Sequence, residues 1–283
     1  MMITSIVNTA SRTTPVDAIE HLKRGLAAST LEIDALEFDP DKIENIVQTH
    51  LDRSDDPIIA WGGDGTICFV LEAVRNRVPV FAIPSGTMNM VHRIIHGRDT
   101  TIDELLRALV EGDVVETKLP RALANDMPFF VAAMFGELTQ LTDVREAIRE
   151  GRPLSAIGAL VSKNIFNFDQ ELKVHGEQKH DADTIKDAAA LATFINDDGT
   201  GFDVGQINPD SLAELLAMGI EAGMSDWKNA NRIEFTQHVS ILISGQDSVV
   251  KATLDGEPTE LNLPVKVTLS AQGSRVLSMR PQC

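Results

Sequence analysis

The sequence has too few cysteines and apolar runs for several classes of protein. Its cysteines, Cys68 and Cys283, are far apart, so they offer no disulfide framework and fit a reducing cytoplasm. No window approaches the roughly 20 apolar residues that span a bilayer. Residues 1–10 lack the basic segment and long apolar stretch of a secretory signal. We therefore expect a protein that is neither secreted nor integral to a membrane.

Positive charge is also scarce. The chain has 42 acidic and 25 basic side chains, which gives a formal net charge of -17. A surface with this excess repels phosphate polyanions, so nucleic acid is not an expected partner. No window contains the dense Lys/Arg patch that binds an anionic bilayer tightly. Any membrane contact is therefore expected to be peripheral, apolar and transient.

Metal-binding side chains form no recognisable cage. His92 and His96 are four residues apart and could share a helix face, but the sequence places no third ligand nearby. We therefore predict an ordinary surface helix at this pair.

What the chain does have is enough apolar residues for a core. It is 43% hydrophobic over 283 residues, which suggests about two domains at roughly 150 residues each. The first part alternates strands and helices, and its strands at 57–61 and 79–83 are apolar on both faces, as in a parallel sheet covered by helices. We predict a first domain at 1–120, with a doubly wound, mostly parallel α/β sheet. The predicted elements are strands at 2–7, 31–38, 57–61 and 79–83 and helices at 16–28, 41–51 and 67–76.

The pattern changes after about Pro120, where short strand-like runs follow one another without regular helices between them. This favours a β-rich, antiparallel, sandwich-like domain at 121–283, whose last strand or strands could return to the first domain. The active site is expected in the cleft between the domains. The predicted strands lie at 129–135, 170–175, 188–195, 239–243, 249–254 and 265–269, with a helix at 211–221.

A glycine-rich segment, Gly62-Gly63-Asp64-Gly65-Thr66, lies where a buried strand ends and a helix begins, which is where open α/β sheets bind ligands. Its glycines let backbone amides and the helix N-terminus approach phosphate oxygens. Asp64 would be repelled by a triphosphate unless a cation lay between them, so we predict that it holds Mg²⁺ directly or through water. Taken alone, the segment is more typical of a tight turn in which Asp64 caps the helix.

A second polar segment, Pro84-Ser85-Gly86-Thr87-Met88-Asn89, follows the next buried strand. Adjacent βα turns lie at the same edge of a parallel sheet, so we expect the two segments to face one ligand. Thr87 and Asn89 supply a hydroxyl and an amide that can reach phosphate or ribose oxygens, and Gly86 permits close backbone approach. A helix cap explains only one of the two segments.

The paired motifs resemble the catalytic fold of the diacylglycerol kinase family, which includes bacterial diacylglycerol kinases, sphingosine kinases and ceramide kinases. The first motif is shared with NAD kinases and resembles phosphofructokinases, whereas the second resembles the lipid kinases better. Leu254-Asp255-Gly256-Glu257-Pro258 also matches the family's Leu-Asp-Gly-Glu motif. Two departures are that Thr9 replaces the proline after Asn8, and that residues 90–93 keep only the arginine of the family's Asp-Phe-Ala-Arg.

This resemblance implies an ATP-dependent lipid kinase that uses Mg²⁺. Asp255 would accept the proton of the lipid hydroxyl, and Glu257 would assist the metal or orient Asp255, although Asp-Gly-Glu-Pro alone is an ordinary hairpin turn. Asp64 would be the metal ligand. The residues expected to contact the nucleotide are Asn8, Gly62, Gly63, Asp64, Gly65, Thr66, Gly86, Thr87 and Asn89.

The acceptor should be a membrane-derived lipid such as diacylglycerol, ceramide or a sphingoid base, reached from the cytoplasm at the inner leaflet. The apolar stretches 127–135 and 157–168 are candidate linings for its chain, although such runs more often form core. Two other functions stay open: an NAD kinase-like enzyme with a soluble acceptor, and a catalytically silent nucleotide-binding regulatory protein. A homodimer is also compatible with the sequence.

Overall fold

The computed structural model describes residues 2–11, 13–27, 32–86, 89–97, 100–136, 172–177, 184–196, 198–207 and 235–280. The predicted helix at 211–221 and the apolar stretch 157–168 lie outside these ranges. The chain divides into two compact units, Met1–Arg121 with Ala271–Cys283, and Ala122–Ser270.

The strands are β1 Met2–Val7, β2 Glu32–Glu37, β3 Ile58–Gly62, β4 Val80–Pro84, β5 Val114–Leu119, β6 Ala122–Ala124, β7 Met127–Phe129, β8 Ala132–Gly136, β9 Leu172–Glu177, β10 Thr184–Ala188, β11 Ala190–Ile195, β12 Phe202–Ile207, β13 Phe235–His238, β14 Ser240–Gly245, β15 Val249–Leu254, β16 Glu257–Asn262, β17 Val265–Leu269 and β18 Ser274–Met279. The helices are α1 Ala18–Leu26, α2 Ile43–Leu51, α3 Asp64–Val74, α4 Met90–His96 and α5 Ile102–Glu111. Among the described residues, no helix is long and apolar enough to cross a membrane.

The first unit contains a mixed sheet with strand order β2-β1-β3-β4-β18-β5. Strands β1 to β4 are parallel, and β5 is antiparallel to β18. Every residue of β3 is buried because helices pack on the sheet, with α1 beside α5 and α2 beside α3. The predicted parallel sheet is therefore confirmed. Its core includes Ile3, Val7, Leu22, Leu26, Ile59, Trp61, Phe81, Ile83, Leu105 and Leu106.

The strand order reverses between β1 and β3. The chain leaves β1 toward β2 on one side of the sheet and returns to form β3 on the other side. The carboxyl ends of the strands at such a switch point leave a crevice between their loops, where open α/β sheets bind ligands. The fold therefore places the loops after β1 and β3 where a ligand is expected.

The second unit contains two antiparallel sheets, ordered β10-β9-β14-β17-β6-β7 and β13-β12-β11-β8-β15-β16. Alternate side chains of both sheets contribute to one core, the pattern of a β-sandwich. The prediction of a β-rich, antiparallel second half is confirmed. This core includes Phe129, Phe135, Val174, Leu191, Phe202, Ile241, Ile243, Ala252, Val265 and Val267.

The prediction of one continuous strand at 129–135 is wrong. It is divided into β7 and β8, with residues 130 and 131 outside regular structure. The backbone N–H groups of Phe130 and Val131 are bound by the carboxylate of Asp255 instead of by a neighbouring strand. A tertiary contact of this kind leaves no trace in the local alternation of residues.

The prediction of a surface helix at His92 and His96 is also wrong. His92 is only 4% exposed, and the two imidazole rings lie 5.0 Å apart between centroids. His96 packs edge-on against Phe81 and accepts a hydrogen bond from the backbone of Met279 at 3.3 Å. Burial lowers the pKa of His92 to about 4 and that of His96 to about 3, with the charge of Arg93 and the neighbouring ring acting in the same direction. Both are therefore neutral, with His92 in the core and His96 half-buried beside it.

Candidate active site

The two glycine-containing loops lie side by side. Strands β3 and β4 are parallel neighbours, and the backbone N–H of Ser85 donates to the carbonyl of Gly62 at 2.9 Å. A Cβ added at Gly86 would lie 3.0 Å from the Cα of Gly63, closer than the two backbones allow without moving. Glycine at 86 thus permits the direct contact of the loops. The adjacency predicted from the sequence is present.

Asn89 closes the second loop on itself. Its side-chain oxygen accepts from the backbone N–H of Gly86 at 2.8 Å, and its amide nitrogen donates to the carbonyl of the same glycine at 2.9 Å. Asn89 has a φ of 49°, in the left-handed region that asparagine tolerates. Its side chain is thus engaged in shaping the loop. Thr87 and Met88 lie outside the described residues.

Asp64 connects the starts of two helices. It is the first residue of α3, and its Oδ1 accepts from the backbone N–H of Val91 at the start of α4, at 2.9 Å. Burial raises the pKa of the Asp64 carboxyl, while the N–H groups of residues 89–91 and the charge of Arg93 act in the opposite direction. The carboxylate therefore caps α4, a helix other than the one that the sequence suggested.

Asn8 joins the loop after β1 to the glycine-rich turn. Its backbone N–H donates to the carbonyl of Trp61 at 2.8 Å, and its side-chain amide donates to the hydroxyl of Thr66 at 2.8 Å. Asn8 and Thr66 thus fix two of the loops at the switch point. The structure brings together Asn8, Gly62, Gly63, Asp64, Gly65, Thr66, Gly86 and Asn89 in the first unit.

Sequence reasoning assigned no role to three hydroxyl residues at this edge. Ser11 donates to the carbonyl of Ser85 at 2.7 Å, and Thr13 donates to that of Gly86 at 3.4 Å. The hydroxyl of Ser85 is buried without a hydrogen-bond partner among the described residues. For Ser11 and Thr13, the available signal was a cluster of Ser and Thr directly after β1.

The arrangement is suited to binding an anion. Gly63 precedes α3 in an extended conformation, so the first N–H groups of this 11-residue helix are not used in helical hydrogen bonds. A Cβ on Gly62 would lie 2.4 Å from the Cβ of Thr66, so this position requires glycine. Unpaired amides at a helix N-terminus, beside a turn of glycines, form a phosphate-binding geometry.

The side chains at the loops provide too few metal ligands to hold a cation by themselves. A cation could bind here only if a bound ligand supplied most of its contacts. The described residues contain no group of three His, Cys, Asp or Glu side chains that could hold a metal ion. Asp64 is the carboxylate at the loops, and one of its oxygens already accepts from Val91. Mg²⁺ commonly keeps several waters and binds through one or two carboxylates with substrate phosphates. Asp64 therefore fits a contact to Mg²⁺ through water.

Asp255 and Glu257 lie on the hairpin between β15 and β16 in the second unit. Asp255 has a φ of 49° and Gly256 a φ of 95°, so two successive residues adopt left-handed conformations, as in a type I′ turn. The carboxylate of Asp255 accepts three backbone N–H groups from residues 130–132, at 2.6 to 3.0 Å. Glu257 is exposed at the start of β16.

The candidate acceptor lining at 127–135 is mostly core. Phe129 and Phe135 belong to the sandwich core, and Ala133 is fully buried beside them. These positions cannot also hold a ligand, so the hypothesis is wrong for them. Met127 is 41% exposed and Met134 is half-buried, and they remain available for apolar contact.

A cleft of about 220 Å³ lies elsewhere in the first unit, between α2 and the edge strand β2. Its lining includes Thr4, His50 and Arg53, and none of the glycine-loop residues. His50 bonds to the hydroxyl of Thr4 at 2.9 Å and to the carbonyl of Asp56 at 2.8 Å. Because a carbonyl only accepts, Nε2 carries the proton and Nδ1 accepts from Thr4 in the neutral ring. This histidine is thus a structural link.

The sequence was compared with protein families and with known proteins, and the family match lies almost wholly in the first unit. The family model for the diacylglycerol kinase catalytic domain matches residues 2–122. An NAD kinase from Archaeoglobus fulgidus is 24% identical over 249 residues, which covers 85% of this chain and 84% of that protein. The glycine-rich loops fall inside both matched regions, which together indicate a kinase of the lipid or NAD type.

Solved structures share the whole fold. A diacylglycerol kinase from Bacillus anthracis str. Sterne superposes with a TM-score of 0.66 at 17% identity, covering 99% of this chain and 97% of that one. A second structure from that organism, of a protein provisionally assigned as a diacylglycerol kinase, gives a TM-score of 0.69 at 20% identity with the same coverage. The architecture is therefore that of these proteins. By the match of residues 2–122 and by its two glycine loops, the first part of this chain is similar to the diacylglycerol kinase catalytic domain.

Proposed function

We propose that the protein is an ATP-dependent kinase that transfers the γ-phosphoryl group to a hydroxyl of a lipid, such as diacylglycerol, ceramide or a sphingoid base. The observation that supports this most is the direct contact of the glycine loops at Gly63 and Gly86. That contact presents two sets of backbone amides at one edge of the sheet, where a phosphate chain can bind.

The residues of the first unit would bind and orient the nucleotide. Backbone amides of 62–66 would contact the phosphate oxygens, while Asn8 and Asn89 would keep the loops in position through the bonds described above. Asp64 would hold Mg²⁺ through water. Bound Mg²⁺ would supply neutralisation of the phosphate charge that repels an incoming oxygen. Fixed positioning by these loops would lower the entropic part of the barrier.

The acidic turn at Asp255 and Glu257 would serve the acceptor. In the transfer, the acceptor oxygen forms a bond to the γ-phosphorus, the bond to the bridging oxygen breaks, and ADP leaves. One carboxylate of the turn would take the proton that the acceptor hydroxyl loses. Both carboxylates lie in the β-rich unit, which also presents the exposed Met127 for apolar contact.

A lipid acceptor implies a location at the cytoplasmic face of a membrane, with transient contact. The chain's formal charge of -17 argues against attachment through basic patches, so the contact would be apolar. Met127 and the half-buried Met134 are flexible apolar side chains that suit this purpose.

The second candidate is phosphorylation of NAD. It is favoured by the 24% identity to the NAD kinase of Archaeoglobus fulgidus, which extends over 85% of this chain. A soluble acceptor also agrees with the strongly acidic composition.

One experiment separates these activities. The purified protein would be incubated with γ-labelled ATP, Mg²⁺ and, separately, diacylglycerol, ceramide, sphingosine or NAD, and the products separated. Label in a lipid product supports the proposed function, and label in NADP alone supports the second candidate. No label in any acceptor, together with ATP binding detected by calorimetry, would indicate a nucleotide-binding protein without kinase activity.

A further inference from the structure

The cleft between α2 and the edge strand β2 takes no part in the proposed kinase function. It has a volume of about 220 Å³, and none of the glycine-loop residues lines it. This volume is below the range of about 300–1,000 Å³ that is usual for drug-sized ligands. A ligand of this cleft would therefore be a small metabolite.

The strands give the cleft a carboxylate beside a hydroxyl. In the parallel pairing of β1 with β2, Thr4 lies opposite Asp34, and both residues line the cleft. The Thr4 hydroxyl donates to Nδ1 of His50, because Nε2 of that neutral ring donates to the carbonyl of Asp56. The Thr4 oxygen therefore still has lone pairs with which to accept a hydrogen bond. Within the described residues, the exposed carboxylate of Asp34 has no hydrogen-bond or ion-pair partner.

The helix gives the cleft a cation. Ile46, His50 and Arg53 recur at helical spacing along α2 and just beyond its end, so they lie on one face, and all three line the cleft. Lys42 also lines the cleft, but its ammonium is paired with Asp39 at 2.5 Å. The exposed guanidinium of Arg53 is paired with no carboxylate in the part of the chain that the structure describes. An arginine in this state is notable in a chain with a formal charge of -17.

Two opposite charges thus line one small cleft without forming an ion pair with each other. Half-buried Leu36 and Ile46 add an apolar lining to the same cleft. An ammonium group has only donors and suits the acceptors of Asp34 and Thr4, whereas a carboxylate suits the paired donors of a guanidinium. A ligand that carries both charges and an apolar group would satisfy the whole lining.

We propose that this cleft binds a small zwitterion with an apolar side group, of the class of the aliphatic α-amino acids. Its ammonium contacts the Asp34 carboxylate and the Thr4 hydroxyl oxygen, and its carboxylate contacts the Arg53 guanidinium. Its side group packs against Leu36 and Ile46. This site is independent of the proposed kinase function, so it stands or falls on its own binding measurements.

The test is isothermal titration of the whole chain with L-leucine and with analogues that each lack one part of it. The analogue 4-methylpentanoate lacks the ammonium, 3-methylbutylamine lacks the carboxylate, and glycine lacks the apolar group. L-leucine should bind at one site per chain. Each analogue should bind about tenfold more weakly or worse, because each leaves one part of the lining without its partner.

Two substitutions assign the contacts to their residues. Asp34→Asn should weaken the binding of L-leucine about tenfold and leave that of 4-methylpentanoate unchanged, because that analogue has no ammonium. Arg53→Gln should weaken L-leucine by a similar factor and leave 3-methylbutylamine unchanged. Both residues are exposed, so thermal unfolding should stay close to that of the wild type. Glu111→Gln and Arg107→Gln, exposed changes of the same two kinds on α5, are the matched controls and should bind L-leucine as the wild type does.

Three outcomes would overturn the proposal. The first is no heat with L-leucine at millimolar concentrations. The second is binding of L-leucine that neither Asp34→Asn nor Arg53→Gln weakens, which would place the amino acid elsewhere. The third is binding of 4-methylpentanoate as tight as that of L-leucine, which would show a site for simple anions.

Discussion

The side-chain amide of Asn8 donates to the hydroxyl of Thr66 at 2.8 Å, across 58 positions of sequence. This bond connects the loop after β1 to the first turn of α3, on the two sides of the switch point where the ligand is expected. Together with the backbone bond from Asn8 to Trp61, it holds the two loops in position relative to each other.

Asn8→Ala should raise the KM for ATP by about fivefold, since a neutral hydrogen bond contributes about 1 kcal/mol and this one would be lost. The value of kcat should change less, because the phosphate-binding amides remain. Steady-state kinetics with varied ATP measures both. Asn45→Ala, an exposed change on α2, is the control, and equal KM values for the two variants would contradict the assignment.

Two substitutions at Asp64 separate its charge from its hydrogen bond. Asp64→Asn keeps an oxygen that can accept from Val91, so thermal unfolding should stay close to that of the wild type, while Asp64→Ala should lose about 1 kcal/mol through loss of the cap on α4. Both should lower kcat by about 100-fold or more, because charge near the phosphates is removed in each. Near wild-type turnover in Asp64→Asn would show that the charge is not needed.

Gly86→Ala should weaken nucleotide binding by separating the loops. The added Cβ would lie 3.0 Å from Gly63 and from the side-chain oxygen of Asn89. Isothermal titration with Mg-ATP should show a Kd raised by about tenfold or more, a loss of about 1.4 kcal/mol. Gly112→Ala is a suitable control, because its positive φ of 71° makes it destabilising by about 1 kcal/mol although nothing crowds the new Cβ. If both variants bound ATP equally, steric contact between the loops would not matter.

The buried histidines of α4 should make stability fall in acid. Their pKa values in the folded protein, about 4 for His92 and about 3 for His96, lie below the ordinary value of 6.5. Above pH 6.5 both are neutral in the folded and unfolded states. As the pH falls below 6.5, the unfolded chain binds protons that the folded protein cannot, so each histidine lowers the free energy of unfolding by up to about 1.4 kcal/mol per pH unit until its folded pKa is reached.

Urea unfolding between pH 7 and pH 4.5 measures this dependence. His92→Leu should reduce the slope by about half of the histidine contribution, whereas Asn45→Ala, an exposed change on α2 that removes no titratable group, should leave it nearly unchanged. A slope that is the same in His92→Leu and the wild type would show that His92 binds protons equally well in the folded and the unfolded states.

The local sequence pattern was sufficient to predict strands whose apolar residues pack within their own sheet and its core. Strands β1, β15 and β17 have the bounds predicted from the sequence, since apolar content and turn residues alone mark them. The local pattern was insufficient where a side chain distant in sequence accepts hydrogen bonds from the backbone. The break at residues 130 and 131 depends on Asp255, more than 120 positions away.

The same division holds at the site. Glycines 62, 63 and 86 were recognised because a close backbone approach demands glycine, and the structure places them against each other. Ser11 and Thr13 were not recognised, because hydroxyl side chains in a loop acquire a role only through their partners. Asp64 was assigned as metal ligand or cap of its own helix, and its observed contact is with the next one.

The sequence by itself determined the two types of sheet, the edge of the sheet where phosphate would bind and the identity of the glycine loops. Each of these depends on the period of apolar residues or on the backbone freedom of glycine, which are local properties. Only the tertiary structure decided what Asp64, Asp255 and the histidines of α4 do. The role of an ionisable side chain is fixed by its burial and by its hydrogen-bond donors, which distant parts of the chain supply.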